Sequence, residues 1–159
     1  MVERNIMKSK LEELLKKKNV LKFGEFTLRS GEVSNYYCDI KEALGDPKLL
    51  KMIVGELVKL VPKGATCIAG SGYGGITLAS LVAFKLGLPL TLVRDVVKKH
   101  GTKKLIDGYL PTARDRVCII DDVFTTGSSM TDAKLKLECT KCKFTKPLVV
   151  LDRSNARKV

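Results

Sequence analysis

Short apolar runs alternate with amphipathic segments along this chain, and the alternation predicts strands that alternate with helices. Apolar runs typical of buried strands lie at 66–69, 90–93, 116–120 and 148–151. Segments with helical periodicity lie at 8–18, 47–60, 76–86 and 128–138. Strands that alternate with helices indicate an α/β fold with right-handed crossovers, here around a parallel sheet of about four or five strands.

Turn and cap residues set the limits of several elements. Asp46 and Pro47 are typical of a helix start, and Pro62 is expected to end that helix. Two short strands, 26–28 and 36–40, are predicted around a turn at Ser30–Gly31. Residues 1–45 are therefore expected to form a small N-terminal hood on an α/β core of residues 46–159, within one domain.

The composition of the chain indicates in which cellular compartment the protein is expected. The chain has 159 residues, 45% of them apolar, and no apolar run approaches the ~20 residues that span a bilayer. No apolar leader stands at the N-terminus, and five scattered cysteines fit a reducing compartment, so a cytoplasmic protein is expected. A lone Cys139-x-x-Cys142 lacks further metal ligands, and no protein metal site is predicted.

The net charge of +12 is compatible with several kinds of partner. A basic protein can bind nucleic acid, but it can equally attract small polyanions such as phosphorylated substrates. Part of the charge is expected to be solvated surface lysine. No helix-turn-helix or RNA-binding motif is visible, so nucleic acid is not the expected partner.

Two adjacent acids, Asp121 and Asp122, follow the buried run 116–120. Small and hydroxylated residues dominate the segment that follows: Val123, Phe124, Thr125, Thr126, Gly127, Ser128 and Ser129. Ligands of open α/β sheets bind outside the carboxyl ends of the strands, and a helix start offers free N–H groups to a phosphate. Paired carboxylates can accept hydrogen bonds from vicinal ribose hydroxyls. The stretch predicts a ribose 5-phosphate site, with a plain capped turn as the alternative.

Two further segments follow strands and offer groups that suit anions. The glycine-rich loop 70–75 lets the backbone approach phosphate oxygens, although a tight strand-to-helix turn explains it as well. The basic segment 94–102 is either a solvated loop or a flap that closes on pyrophosphate and excludes water. Both segments are expected at the same sheet edge as the two acids.

The segment 119–129 closely resembles the phosphoribosyl-pyrophosphate (PRPP) motif of the type I phosphoribosyltransferases. The signature at 23–37 and the basic loop 94–102 are similar to those of orotate phosphoribosyltransferases, and the resemblance extends over about 21–153. Asp95 departs from the family pattern, which has a basic residue there. The resemblance implies the type I phosphoribosyltransferase fold, a parallel-sheet core flanked by helices beneath a small hood.

The resemblance also implies an activity and its partners. Ribose 5-phosphate would pass from PRPP to orotate, giving orotidine 5'-phosphate and pyrophosphate in pyrimidine synthesis. Mg²⁺ would be held mainly by PRPP and water. The protein would be a homodimer in which the loop 94–109 serves the neighbouring active site, without a membrane partner.

The resemblance assigns roles to individual residues. Catalytic roles fall on Arg94, Lys98, His100, Asp121 and Asp122. PRPP binding falls on those five together with Arg29, Tyr73, Gly74 and residues 123–129. Orotate binding falls on Tyr37, Cys38, Thr125 and Arg153, where a guanidinium suits the orotate carboxylate as a two-pronged donor.

Two other functions stay open at this stage. One is a phosphoribosyltransferase for another base, such as uracil or a purine, against which Arg153 and the N-terminal signature argue. The other is a regulator on the same fold that senses PRPP and binds nucleic acid, which the net charge permits.

Overall fold

A six-stranded sheet organises the protein, here seen in a computed structural model that describes residues 9–27, 33–94 and 104–154. The helices are α1 (Ser9–Lys17), α2 (Ile40–Leu44), α3 (Pro47–Leu60), α4 (Gly72–Leu86) and α5 (Ser128–Leu137), followed by a 3₁₀ turn at Glu138–Thr140. The strands are β1 (Leu21–Thr27), β2 (Val33–Cys38), β3 (Cys67–Ser71), β4 (Leu90–Val93), β5 (Ile106–Gly108), β6 (Arg116–Phe124), β7 (Lys143–Phe144) and β8 (Leu148–Asp152).

The sheet runs in the order β5-β4-β3-β6-β7, and β8 also pairs with β6. Strand β7 pairs with the start of β6 and β8 with its end, so the two together flank one side of the longest strand. All pairs are parallel except β4 with β5. The carboxyl ends of β3, β4, β6 and β8 therefore meet at one edge, as the sequence predicts.

Alternate residues of the strands pack on opposite faces of the sheet, as the two-residue period of a strand requires. Ile68 and Ile120 join a core with α1 to α4, whereas Ala69 and Ile119 join a second core beneath α5. Both faces are covered, which explains why these strands read as unbroken apolar runs. Within the described residues, no helix is long and apolar enough to cross a membrane.

Strands β1 and β2 form a separate antiparallel pair ahead of the main sheet. Helix α2 follows β2 directly, with Asp39 Oδ1 accepting a hydrogen bond from the Lys41 N–H at 3.0 Å. Ile40 and Ala43 are fully buried against the same core as α3 and β6. The N-terminal pair is thus anchored to the main sheet by a single turn of buried helix.

The structure corrects several sequence-based expectations. The sheet has six strands, because the short strands β5 and β7 add to the four that apolar runs reveal. The N-terminal strands lie at Leu21–Thr27 and Val33–Cys38, and residues after 38 turn into helix α2. The segment 94–109, for which the sequence allows a loop or a hairpin, includes β5, which pairs antiparallel with β4. Such short elements are stabilised by their neighbours and carry little periodic signal of their own.

The start of β6 is fixed by a buried carboxylate, that of Asp115. It accepts hydrogen bonds from the Thr112 N–H at 2.7 Å, the Thr66 hydroxyl at 2.8 Å and the Tyr109 hydroxyl at 2.9 Å. The Thr112 N–H, with the Thr66 hydroxyl next, lowers the pKa of Asp115 to about 2. The anion therefore holds three segments together at the end of the sheet opposite the candidate site.

Candidate active site

The two adjacent acids lie inside strand β6 rather than after it, which corrects the expected strand end at residue 120. Strand β6 continues to Phe124 because β8 pairs with it there, with Asp121 opposite Val149 and Phe124 opposite Asp152. The Asp122 N–H donates to Asp121 Oδ1 at 2.9 Å, and the Val123 N–H donates to Asp122 Oδ1 at 2.9 Å. Both carboxylates are thus oriented by the backbone of their own strand.

The carboxyl of Asp121 has a strongly shifted pKa. Burial raises the pKa of its carboxyl to about 7, with the neighbouring Asp122 charge acting in the same direction and the Asp122 N–H opposing it. At neutral pH a substantial fraction of this carboxyl is therefore protonated. Carboxyls with raised pKa are concentrated at functional sites, because desolvation there is offset only when a ligand supplies partners.

Asp122 is buried as well, but it has a cation beside it. The Lys41 ammonium of helix α2 lies 3.1 Å from Asp122 Oδ2. The Asp122 side chain is 13% exposed and the Lys41 side chain 58%. Burial alone would lower the pKa of Lys41, but contact with Asp122 outweighs it and the pKa is raised. Lys41 is not among the residues that sequence reasoning selects, because the sequence predicts no helix between the strand at 36–40 and the helix start at Asp46.

Glycines at the start of α4 bring this helix against the two acids. A Cβ on Gly74 would lie 2.2 Å from Asp122 Oδ2, and one on Gly75 would lie 3.1 Å from Asp121 Oδ1. A Cβ on Gly70 would lie 2.6 Å from the Gly75 carbonyl oxygen. The glycine-rich loop predicted at 70–75 is therefore largely the first turn of α4. Close packing accounts for Gly70, Gly74 and Gly75, whereas Gly72 has a left-handed φ of 64°. Tyr73 is 90% exposed at the same turn.

A tight turn from Phe124 to Ser128 links β6 to α5. Gly127 has φ of 80° and precedes the helix, and a Cβ there would lie 2.7 Å from the Phe124 ring. The Thr126 hydroxyl accepts a hydrogen bond from the Ser128 N–H at 3.3 Å. The side chains of Thr125, Thr126, Ser128 and Ser129 are exposed. The helix start thus presents hydroxyl groups beside the N-terminal end of the helix dipole, as a phosphate site requires.

Arg153 lies beneath the N-terminal strand pair, immediately after β8. It is 8% exposed, its guanidinium lies 4.8 Å from the centre of the Tyr36 ring, and its Nη2 donates to the Tyr36 carbonyl oxygen at 3.3 Å. Tyr37 stacks obliquely on Phe26 at 5.6 Å between ring centres. Cys38 is buried, which raises the pKa of its thiol to about 11. Of the residues predicted for orotate, Cys38 lies near Arg153, whereas the aromatic ring in contact with the guanidinium is that of Tyr36 rather than Tyr37.

Arg94 stands at the end of β4, where its N–H donates to the Leu105 carbonyl oxygen at 2.9 Å. Its guanidinium forms an ion pair with Asp107 of β5, and Lys136 of α5 donates to its carbonyl oxygen at 2.8 Å. Asp107 and Lys136 are two more residues that sequence reasoning missed, because they reach Arg94 only through tertiary packing. Arg29, Asp95, Lys98 and His100 lie outside the described residues.

The comparisons with known proteins agree with this arrangement. No protein-family model matches the chain. The orotate phosphoribosyltransferase of Methanosarcina acetivorans is 40% identical over 154 residues, covering 95% of this chain and 81% of the relative. That of Methanocaldococcus jannaschii is 38% identical over 151 residues, covering 95% and 85%.

A solved structure supports the same relation. The crystal structure of orotate phosphoribosyltransferase from Aeropyrum pernix superimposes with a TM-score of 0.75 at 30% identity, covering 91% of this chain and 82% of that one. This likeness confirms the predicted type I phosphoribosyltransferase fold. With the sequence identity over most of both chains, it follows that the chain belongs to the orotate phosphoribosyltransferase family.

Proposed function

We propose that this protein transfers ribose 5-phosphate from PRPP to orotate, giving orotidine 5'-phosphate and pyrophosphate in pyrimidine synthesis. The observation that carries the proposal is the end of β6, where two oriented carboxylates lead directly into the hydroxyl-lined start of α5. Relatives 36–40% identical to most of this chain bear the name of that activity.

In this proposal Asp121 and Asp122 accept hydrogen bonds from the ribose hydroxyls, and residues 123–129 surround the 5-phosphate. Arg94, Lys98 and His100, with Tyr73, Gly74 and Arg29, bind the pyrophosphate end of PRPP. As the bond between ribose C1 and pyrophosphate breaks, C1 becomes cationic and the leaving group gains charge. Fixed charges and dipoles that match this redistribution lower the barrier without a covalent intermediate.

Arg153 is proposed to bind the orotate carboxylate, with Tyr37, Cys38 and Thr125 beside the ring. This role is supported by the position of the Arg153 side chain, which is buried under the strand that holds Tyr37 and Cys38. A guanidinium binds a carboxylate as a two-pronged donor, which suits the carboxylate of orotate.

Mg²⁺ is the proposed cofactor, and it would neutralise the pyrophosphate charge. Among the described residues no cluster of three or more His, Cys, Asp or Glu side chains could hold a metal ion. Oxygens of PRPP and water would therefore supply most ligands, as Mg²⁺ commonly takes in phosphate-transfer sites.

We also propose a homodimer in the cytoplasm, with residues 94–109 serving the neighbouring site. The cytoplasmic location is supported by five free cysteines, which fit a reducing compartment. A nucleic-acid-binding regulator on this fold is disfavoured because the relatives that match most of this chain bear the name of an enzyme.

The test is loss of orotate absorbance on incubation with the protein, PRPP and Mg²⁺. Turnover is expected only when PRPP and a divalent metal are both present. Uracil, hypoxanthine and adenine serve as competing bases, and equal or better turnover of one of them would overturn the orotate assignment while leaving the fold intact. Arg153→Gln should raise the Michaelis constant for orotate more than that for PRPP.

A further inference from the structure

Lys41 connects the hood to the proposed ribose site. Its backbone N–H is held by Asp39 Oδ1 at 3.0 Å, at the start of a helix whose next turn is buried through Ala43. Its ammonium reaches Asp122 Oδ2 at 3.1 Å. The backbone of Lys41 is therefore fixed, although its side chain is partly in water.

The environment of Asp122 makes this contact more than a surface ion pair. Exposed pairs contribute little, because water and salt screen both charges. Here the carboxylate is 13% exposed and packs against Gly74, so one side of the pair is withdrawn from solvent. A buried carboxylate that loses its cation is strongly destabilised in its charged form.

The two acids of β6 differ in this respect. The Asp122 N–H donates to Asp121 Oδ1 at 2.9 Å, whereas Asp122 Oδ2 is in direct contact with the Lys41 ammonium at 3.1 Å. The Lys41 ammonium at Oδ2 and the Val123 N–H at Oδ1 together fix both oxygens of the Asp122 carboxylate. A hydroxyl donates more strongly to a charged carboxylate than to a neutral one.

We propose that Lys41 is a positioning residue for PRPP: it holds the Asp122 carboxylate in the orientation that accepts the ribose hydroxyls. This role rests on the function proposed above, in which PRPP is a substrate of the protein. It also makes the ribose site dependent on the hood, because α2 directly continues the strand that bears Tyr37 and Cys38. Lys41 itself need not touch either substrate.

The experiment compares Lys41→Met with Lys41→Arg, which keeps the charge, and with Lys51→Met, which removes an exposed lysine from α3. Lys41→Met is expected to raise the Michaelis constant for PRPP about tenfold while changing kcat and the orotate constant less than about threefold. Lys41→Arg should recover most of the loss, and Lys51→Met should match the wild type. Equal constants for Lys41→Met and Lys51→Met would overturn the proposal.

A double-mutant cycle with Asp122→Asn separates positioning from direct contact. The dissociation constant of ribose 5-phosphate is measured by calorimetry, so no variant needs to be active. If Lys41 acts through Asp122, Lys41→Met should weaken binding in the wild-type background and have almost no effect in Asp122→Asn. Equal effects in both backgrounds would show that Lys41 acts independently and would reject the positioning role.

These binding measurements also keep the two proposals distinct. If the wild-type protein binds ribose 5-phosphate but does not consume orotate, the proposed reaction is refuted. The double-mutant cycle then still decides whether Lys41 acts through Asp122. A wild-type protein that consumes orotate with an additive cycle would refute only the role of Lys41.

Discussion

The two aspartates at the end of β6 have the same side chain but different surroundings. Asp121 and Asp122 are neighbours in sequence, yet the Lys41 ammonium is in direct contact with Asp122. The sequence predicts both acids at the site, because adjacent carboxylates after an apolar run require partners. It does not reveal Lys41, whose role depends on a five-residue helix that folds back onto the strand.

Replacing either acid by its amide is expected to weaken PRPP use without unfolding the protein. Each charge-assisted hydrogen bond contributes about 1.5–3 kcal/mol, so Asp121→Asn and Asp122→Asn should lower kcat/KM for PRPP by roughly ten- to a hundredfold. Steady-state kinetics measure the loss, and thermal unfolding controls for folding. Wild-type kinetics in both variants would reject the ribose role.

The raised pKa of Asp121 predicts opposite effects of pH on stability and on binding. The ordinary value is 3.8 and the folded value about 7, so between these values the native state binds more protons than the unfolded state. The free energy of unfolding of the ligand-free protein should therefore fall as pH rises through this window. PRPP affinity should rise over the same window, since ribose hydroxyls favour the ionised acid.

Asp121→Asn is the control for both measurements. PRPP has phosphates that titrate on their own, so the informative quantity is the difference in slope between the wild type and this variant, measured by calorimetry and by denaturant unfolding. Identical slopes in the two proteins would show that Asp121 does not carry the titration.

At the scale of elements, the close packing of α4 on β6 forms the site, because glycines of α4 lie against Asp121 and Asp122.

Sequence patterns predict α3 well, because Asp46 caps it through the Lys48 and Leu49 N–H groups and Pro47 begins it. They predict a glycine-rich loop where the structure has the first turn of α4, since glycines required by close packing look the same as glycines required by a turn. Strands β5 and β7 are hard to predict from the sequence, because segments of two or three residues are too short to show an alternation of apolar and polar positions.

Gly74→Ala tests this packing directly. The new Cβ would lie 2.2 Å from Asp122 Oδ2, so the carboxylate must move away from Lys41. We expect kcat/KM for PRPP to fall at least about tenfold, with a loss of about 1–3 kcal/mol in the free energy of unfolding from overpacking.

Gly55→Ala is the matched control, because no atom lies within 4 Å of a Cβ at this position in α3. Alanine there should stabilise the protein by about 0.5–1 kcal/mol and leave the kinetics unchanged. Unaltered PRPP kinetics in Gly74→Ala would contradict the proposed dependence of the site on this contact.

The whole molecule carries a net charge of +12, which favours the approach of a polyanion such as PRPP to any part of its surface. The sheet topology then decides where the ligand can be bound, because it brings Arg94, Gly74, Asp122 and Arg153 to one edge. Topology of this kind follows from the alternation of strands and helices, which the sequence shows clearly. The contributions of Arg29, Lys98 and His100 stay predictions.

Subunit mixing tests whether the loop serves the neighbouring site. Lys98→Ala damages the loop and Asp122→Asn damages the PRPP site, so each variant alone should be nearly inactive. If the loop acts across the interface, a mixed dimer has one site with both lesions and one with neither, and mixing should restore up to about half of the activity per mixed dimer.

If the loop acts within its own subunit, every site in a mixed dimer keeps one lesion and no activity returns. Heterodimer formation is verified with two different affinity tags. Absence of recovery in verified heterodimers would reject the shared site but not the role of Lys98.

The antiparallel pair of β4 and β5 gives the basic segment a fixed base. Val93 pairs with Ile106, and the Arg94 N–H bonds to the Leu105 carbonyl oxygen, so the segment leaves and rejoins the sheet at neighbouring positions. Each doubling of a loop between fixed ends costs only about 0.6 kcal/mol. Evolution can therefore change the length and sequence of this segment almost independently of the sheet, and the chain can acquire new leaving-group chemistry without having to fold in a new way.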